Sequence, residues 1–442
     1  MPSTLQETPV LSSTLLVLLL GVLSVYALAR RWRSGTLMTA TGGLHLNFLL
    51  SIAIGFACYC VDGTRDHVPK DVIIGAFLRT GPYLLAGYAL AVLIDSRGRK
   101  PRGFRAEGTE REGNVGLMAV LTLLWMIGAA TADLPFTMQS LGTILVIFKL
   151  LEYPTLTLAA RAMNLKKFDT IIVLGLNTVA AFVFAFLSPW RSALVFVCAA
   201  LALGFANRIH KLWPVAVVSA SIALVVLPIS ALKKGSYEEL MAKPVEMATG
   251  ALADPIVDRV QSLIYFWSIR IDSAREIGFT EWATDAGKLV PRGGVAYWEA
   301  VEQLVPRVFW PDKPVFGWYS GYYVPRAIGL LYWQDTGTSW GLPLIPEFVS
   351  NFECGHLLWL IPLTFLCLQK LDLFCQKVIR GNRIRELLRL SLFFLFLSVM
   401  GIAFVVSYTL WLIIAAYIIG RYFARSRYRL TQSGGACAQA QP

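Results

Sequence analysis

Long apolar runs alternate with short polar stretches along most of the 442-residue chain. A helix needs about 20 mostly apolar residues to cross the hydrocarbon core of a membrane. The pattern therefore predicts an all-α polytopic membrane protein with about 11 transmembrane helices. The first run is read as a retained helix, because no basic stretch precedes it. The predicted spans are approximately 9–29, 37–61, 71–94, 114–133, 141–160, 169–187, 191–207, 214–232, 347–368, 387–405 and 407–424.

The distribution of Lys and Arg between these runs predicts their orientation. Short loops rich in these cations face the cytoplasm. Six alternate short loops contain 23 Lys and Arg, whereas the three short loops of opposite parity contain 3. This bias places the N-terminus on the outer side. The basic loop 95–112 is interpreted as a solvated cytoplasmic loop, with binding to anionic lipid headgroups as the alternative.

One long connection, residues 233–346, interrupts the pattern and is predicted to lie on the outer face. Around it we expect an N-terminal bundle of about eight spans over 1–232, about three C-terminal spans over 347–429 and a disordered tail over 430–442. Within the loop, helical periodicity predicts helices over 253–277 and 294–304, and their aromatic residues favour a membrane interface. Because loops carry function more often than the spans beneath them, this loop is the expected catalytic region.

Composition narrows the classes of function. The chain is 56% hydrophobic and only 15% charged, which is too apolar for an ordinary soluble domain. The net charge of +12 is dispersed between apolar runs and no nucleic-acid-binding motif occurs, so no nucleic acid partner is expected. The four histidines are scattered, and no nucleotide-binding motif is present. We therefore expect no metal site and no cofactor.

The segment LVPRVFWPDKP, residues 304–314, concentrates candidate chemistry. Its three prolines restrict the backbone around Arg307 and Lys313, whose charges suit a phosphate or pyrophosphate. Trp310 can stack on the face of a sugar. The alternative is an interfacial anchor with cations reaching for the headgroups. Arg79 lies about eight residues into the third predicted span, where an intramembrane charge marks either a structural pair or an anion site.

These residues resemble a known family. LVPRVFWPDKP is similar to the P-R-x-x-W-P-x-K-P signature of bacterial O-antigen and oligosaccharide repeat-unit polymerases. Downstream, TGTSWGLPLIPEFVSNFECGHLL resembles the T-S…G…E-x-x-x-N-F-x-x-G segment of that family, through Glu347 and Asn351 among others. Arg259 matches an arginine that the family tends to carry about 50 residues before the strip. The resemblance covers about residues 255–356, and the prolines before Glu347 depart from the family pattern.

The resemblance implies a glycosyltransferase of the bacterial cytoplasmic membrane, with its active site facing outward and lipid-linked oligosaccharides as donor and acceptor. Membrane lipids, a flippase and a chain-length regulator are the other expected partners. O-antigen ligase activity and transport of lipid-linked glycans remain the alternatives. For the site we expect catalytic roles for Arg259, Arg307 and Glu347, with Asp258, Glu299 and Glu302 as alternative bases. The expected pyrophosphate- or glycan-binding residues are Arg79, Arg270, Arg292, Trp310, Lys313 and Asn351.

Overall fold

The computed structural model describes residues 4–61, 67–97, 115–131, 148–163, 167–187, 192–209, 273–303, 318–334, 342–379, 382–398 and 408–419, together with 261, 264, 305, 310, 405, 406 and 421. About 86% of these residues are helical and none of them lies in a strand. Over the described part of the chain the fold is therefore all-α, as the apolar pattern predicts.

The N-terminal half contains α1 (Thr4–Arg33), α2 (Ala40–Asn47), α3 (Gly55–Val61), α4 (Lys70–Arg97), α5 (Val115–Thr131), α6 (Glu152–Ala162), α7 (Phe168–Leu187) and α8 (Ser192–Ile209). The rest contains α9 (Ser273–Asp285), α10 (Val295–Gln303), α11 (Val324–Ala327), α12 (Leu344–Phe352), α13 (Leu357–Val378), α14 (Asn382–Leu397) and α15 (Tyr408–Ile419). Wider π-helical turns, Phe48–Ile54 and Trp318–Tyr323, join α2 to α3 and lead into α11.

Five described helices are long and apolar enough to cross a membrane: Ser12–Arg33, Ala40–Val61, Lys70–Arg97, Phe168–Ala185 and Cys354–Val378. Three shorter apolar helices, Gly116–Ala130, Phe196–Ala206 and Tyr408–Ile419, coincide with further predicted spans. The predicted span 214–232 lies outside the described residues. The chain is thus a membrane-embedded helical protein, with five of its helices meeting the length and composition for a span.

The predicted span 347–368 is divided in the structure. α12 ends at Phe352, and Glu353 adopts a φ of 67°, which a residue with a side chain rarely does. A short 3₁₀ turn, Cys354–His356, then leads into α13. α12 begins at Leu344 and so crosses the boundary expected between the outer loop and the C-terminal spans.

α4 is the central helix of the main core, and two other helices pack along different halves of it. α9 packs beside its first half, where Gly278 approaches Ile73 and Asp285 pairs with Arg79. α13 packs beside its second half, where the backbone of Leu357 lies against Gly87. Small residues allow helices to approach this closely inside a membrane. α9 is therefore packed against the bundle. It overlaps the helix predicted over 253–277 only from Ser273 onward, and most of that predicted helix lies outside the described residues.

A buried polar network joins four helices near the end of α4. The guanidinium of Arg31 donates to both carboxylate oxygens of Asp95, and Gln369 Nε2 donates to Asp95 Oδ1 at 2.8 Å. His45 lies between Asp95, at 3.3 Å, and the hydroxyl of Tyr88, at 2.9 Å. Buried charges are tolerated when they are paired and hydrogen-bonded. This network therefore ties α1, α2, α4 and α13 together at the end where basic loops predict the cytoplasm.

A second apolar core is built from α5, α6, α7, α8 and α14. Trp125 is fully buried there, and its indole N–H donates to Asn177 Oδ1 at 3.1 Å. α14 also packs on α2, where the backbone oxygen of Phe393 lies against Gly43. α14 thus links the second core to the one that surrounds α4.

Candidate functional site

The structure describes some of the predicted site residues and leaves others out. Four cations lie outside the described residues: Arg259, Arg270, Arg307 and Lys313. Trp310 is described as a non-helical residue with 37% of its surface exposed. Their predicted functions stay predictions. Arg79, Arg292, Glu347 and Asn351 are all placed, and two of them lie on α12.

Glu347 and Asn351 face the interior from one side of α12, since they are four residues apart. Glu347 has no exposed surface, and Asn351 is 1% exposed. Tyr297 of α10 stacks on Phe348, and burial together with the nearby charge of Glu347 raises the pKa of the Tyr297 hydroxyl. The two predicted residues therefore belong to the packed junction between α12 and α10.

Asn351 fixes the loop that precedes α10. Its Oδ1 accepts from the backbone N–H of Ala296 at 3.2 Å, and its carbonyl accepts from Gly293 N–H at 2.9 Å. Gly293 and Gly294 have φ values of 56° and 95°, a left-handed backbone that glycine adopts without strain. Arg292 immediately precedes this turn. Asn351 therefore holds the backbone turn that follows Arg292, and its predicted contact with the substrate stays a prediction.

Arg292 is exposed and lies over an aromatic surface. We use the term aromatic platform for Trp318, Tyr319, Tyr323 and Trp333. The guanidinium carbon of Arg292 is 4.8 Å from the ring centroid of Tyr323 and 6.0 Å from those of Trp318 and Tyr319. Trp318 stacks on Tyr323, and Trp333 meets Tyr323 edge-on. Such contacts attract a cation by the charge distribution of the rings and hold the guanidinium plane in place.

Glu299, on α10, forms a hydrogen bond with the backbone of the same platform. Its Oε1 accepts from the backbone N–H of Tyr319 at 2.8 Å, while Oε2 is buried with no hydrogen-bond partner among the described residues. Burial raises the pKa of the Glu299 carboxyl from 4.5 to about 7. Burial also raises the pKa of the Tyr319 hydroxyl to about 12. Glu299 is thus a carboxyl whose pKa lies near neutral pH and which bonds to the platform over which Arg292 lies.

Arg79 belongs to a second polar cluster. It pairs with Asp285 at the end of α9, although 206 positions separate the two in sequence. Glu281 lies one turn earlier on α9, near Asp285, Arg79, Glu353 and Cys354, and burial raises its pKa. Both side chains of the Arg79–Asp285 pair are more than half exposed. Arg79 therefore has a carboxylate partner that the local sequence does not reveal.

An apolar groove lies between α1 and the α2–α3 helix. It encloses about 760 Å³ and is lined by Val17, Leu18, Gly21, Val22, Val25, Tyr26, Leu49, Ala53, Ile54, Ala57, Cys58, Val61 and Ile264. The width of the helix at the π-helical turn Phe48–Ile54 contributes to one wall. Ile264 comes from the predicted outer loop, so one end of the groove reaches toward that loop.

The sequence does not predict the aromatic platform, and it indicates Glu299 only as an alternative base. The segment GWYSGYYVPRAIGLLYWQDTG is rich in Trp and Tyr, which is the only signal that the sequence offered for the platform. Nothing in the sequence shows that Arg292 and Glu299 meet these rings, because turns and packing between segments decide it. No protein-family model, curated protein or solved structure matches the chain.

The groups at the platform have the chemistry to bind an anion and a sugar together. The exposed guanidinium of Arg292 suits a phosphate, and the exposed parts of Trp318 and Trp333 suit the C–H surfaces of a sugar. Glu299 adds a group able to accept or deliver a proton near neutral pH. The described residues contain no cluster of three or more His, Cys, Asp or Glu suited to a metal ion.

Proposed function

We propose that the protein is a membrane glycosyltransferase that polymerises lipid-linked oligosaccharide repeat units. The growing glycan on a polyprenyl-pyrophosphate lipid is transferred to a new lipid-linked unit, on the outer side of the bacterial cytoplasmic membrane. The main support from the structure is that Arg292 lies over the aromatic platform and that the buried carboxyl of Glu299 bonds to the backbone of Tyr319 in the same platform. The family resemblance of residues 255–356 supplies the reaction class.

In the proposed reaction, a hydroxyl oxygen of the acceptor sugar attacks the anomeric carbon of the donor. The bond from that carbon to the pyrophosphate oxygen breaks, and the lipid pyrophosphate leaves as an anion. A cation positioned in advance stabilises the charge that develops on this leaving group. Arg292 is the described candidate, and Arg259, Arg270, Arg307 and Lys313 are the predicted additions from the rest of the loop.

Glu299 replaces Glu347 as the proposed proton acceptor. A general base must reach the hydroxyl that it deprotonates, and its pKa is best placed near the working pH. Both carboxyls are buried, Glu347 with no exposed surface and Glu299 with 7%. Glu299 is preferred because it bonds to the platform at the backbone N–H of Tyr319 and has a pKa of about 7. Glu347 would then support the junction of α10 and α12, with Asn351 holding the Arg292 loop.

The apolar groove between α1 and α2–α3 is the proposed seat of the lipid chain. Its lining is almost wholly aliphatic and aromatic, as a polyprenyl chain requires. Ile264 connects the groove to the loop that would carry the pyrophosphate-binding cations. The groove and the platform thus supply places for the two chemically different parts of one lipid-linked glycan.

The test is complementation of a strain that lacks the protein. Variants Arg292→Ala, Glu299→Gln, Arg307→Ala and Arg259→Ala are compared with the wild type for glycan length and lipid-linked intermediates. Loss of long glycan with accumulation of single lipid-linked repeats supports the proposal. Asp71→Asn, an exposed carboxylate in the first turn of α4, is the control. Unchanged long glycan in all four variants at normal expression overturns the assignment.

Transport of lipid-linked glycans is the second candidate function. Transporters bind substrates where membrane helices are interrupted. The break at Glu353 interrupts the predicted span 347–368 in this way. The same complementation separates the functions, because a transport defect leaves the single repeats on the cytoplasmic side. Long glycans that form but stay on the lipid would indicate a ligase instead.

A further inference from the structure

A second groove lies between α4 and α13, away from the platform. Its lining combines aliphatic side chains with two cations: Leu90, Leu93, Ile94, Arg97, Leu366, Gln369, Lys370 and Leu373. The groove encloses about 480 Å³, within the range of roughly 300–1,000 Å³ typical of ligand pockets. It runs along two membrane-spanning helices and reaches the last turn of α4.

We propose that this groove binds an anionic phospholipid, with an acyl chain against the leucines and the phosphate between Arg97 and Lys370. Both cations are exposed, and the described residues offer neither of them a hydrogen-bond or salt-bridge partner. Basic pockets between membrane helices on the cytoplasmic side bind anionic headgroups. The sequence predicts that this end of α4 faces the cytoplasm. The proposal does not depend on the proposed enzymatic function.

The carboxylates close to the groove, Asp95 and Asp372, are both buried, 8% and 1% exposed, so neither faces an anion in the groove. The Asp95 carboxylate is also held by the guanidinium of Arg31. Gln369 also belongs to the lining, and it donates to Asp95 Oδ1 at 2.8 Å. A lipid in the groove therefore touches the residue that connects α13 to the buried polar network. Its binding is expected to stabilise the contact between α4 and α13.

The experiment measures lipid binding to the purified full chain in detergent. Dioleoyl phosphatidylglycerol and dioleoyl phosphatidylcholine have the same chains and differ in headgroup charge. Retained lipid is counted by native mass spectrometry, and thermal unfolding is followed during lipid titration. The proposal predicts that phosphatidylglycerol binds more tightly and raises the melting temperature more than phosphatidylcholine does. Equal binding and equal stabilisation by the two lipids would overturn it.

Charge variants test the headgroup position. Arg97→Gln with Lys370→Gln is expected to weaken phosphatidylglycerol binding about 30-fold, since each cation near an anionic headgroup contributes close to a factor of five. Arg33→Gln with Lys377→Gln removes the same charge from exposed positions outside the groove lining. This control pair should change the affinity less than threefold. Equal weakening by both pairs would mean a diffuse surface attraction and would contradict the proposal.

Steric variants test the chain position. Leu366→Trp places a large ring in the groove and leaves both cations intact, so binding of both lipids should fall. Leu363 is an exposed leucine of α13 that is not part of the groove lining, and Leu363→Trp is the matched control. Mass spectrometry reports binding even if a variant melts earlier. Wild-type affinity for phosphatidylglycerol in Leu366→Trp would overturn the assignment of this groove.

Discussion

At the scale of single residues, the environment of Glu299 distinguishes it from the other carboxylates of the loop. Its buried Oε2 and its pKa of about 7 arise from packing against the π-helical turn Trp318–Tyr323. The sequence presents Glu299 only as one of several acidic residues on a predicted helix. A raised pKa depends on burial, and burial depends on contacts between segments that local pattern does not encode.

The raised pKa predicts a pH dependence of stability. Between pH 4.5 and about 7, folded Glu299 keeps a proton that the unfolded chain releases. Stability from this group is therefore complete below pH 4.5 and is lost as the pH rises through 7. Glu299→Gln should remove roughly 3–4 kcal/mol of this dependence, because the pKa rises from 4.5 to about 7 and each pKa unit corresponds to about 1.4 kcal/mol.

Thermal unfolding from pH 4 to pH 8 checks this expectation. The melting temperature of Glu299→Gln relative to the wild type should increase with pH across that range. Asp71→Asn should run parallel to the wild type, since Asp71 is exposed at the start of α4. Parallel curves for Glu299→Gln and the wild type would show that Glu299 is not buried as described.

The pair of Arg79 and Asp285 yields a prediction that separates structure from substrate binding. Arg79→Asp and Asp285→Arg each place like charges together, so each single variant should lose glycan synthesis. If Arg79 serves the pair, the double exchange restores an ion pair and recovers activity to within about threefold. The measurement is glycan length in complemented cells. If Arg79 itself binds pyrophosphate, as the sequence suggested, the double exchange stays inactive.

At the scale of elements, hydropathy predicts the long helices well, and helical periodicity predicts the short α10, expected over 294–304 and found over Val295–Gln303. α4 is found within a few residues of its predicted span 71–94, because a membrane core requires a long apolar run. α9 continues to Asp285, beyond the end of the helix predicted over 253–277, and the burial of its Arg275 and Glu276 is not indicated by their polar side chains. The break at Glu353 has no local signal, since a left-handed glutamate is not a residue that sequence rules anticipate.

The contact of α9 with α4 depends on a glycine. A Cβ added at Gly278 would lie 2.6 Å from the carbonyl oxygen of Ile73, which is backbone and cannot turn away. Gly278→Ala should therefore separate α9 from α4 and destabilise the protein by roughly 1–3 kcal/mol. Thermal unfolding and loss of glycan synthesis measure the effect, because α9 leads into the Arg292 loop.

Gly75→Ala is the matched control on α4. A Cβ at Gly75 would meet no atom within 4 Å. Replacing an unhindered helical glycine by alanine favours the helix by roughly 0.5–1 kcal/mol. Gly75→Ala should thus be neutral or slightly stabilising. Equal losses in the two variants would indicate general sensitivity of these helices and would contradict the proposed close packing at Gly278.

At the scale of the whole molecule, the sequence predicts the all-α membrane class, and the structure agrees over the described residues. The full number of spans stays a prediction, as does the orientation.

The orientation predicts that Cys60, exposed near the end of α3, faces the outer side. With the other six cysteines replaced by serine, a membrane-impermeant maleimide should label Cys60 in intact cells. A cysteine placed at Arg33 should react only after the membrane is opened. The reverse result would invert the topology.

The central claim is that the chain lengthens lipid-linked glycans by itself through the site around Arg292 and Glu299. The most direct measurement is the product length distribution from the purified protein in vesicles supplied with a lipid-linked repeat unit and no nucleotide sugar. The wild type should convert single repeats into a ladder of longer lipid-linked glycans, and Arg292→Ala and Glu299→Gln should each reduce the rate by at least a factor of about 100. Only single repeats from correctly folded wild type, or wild-type ladders from both variants, would contradict this account.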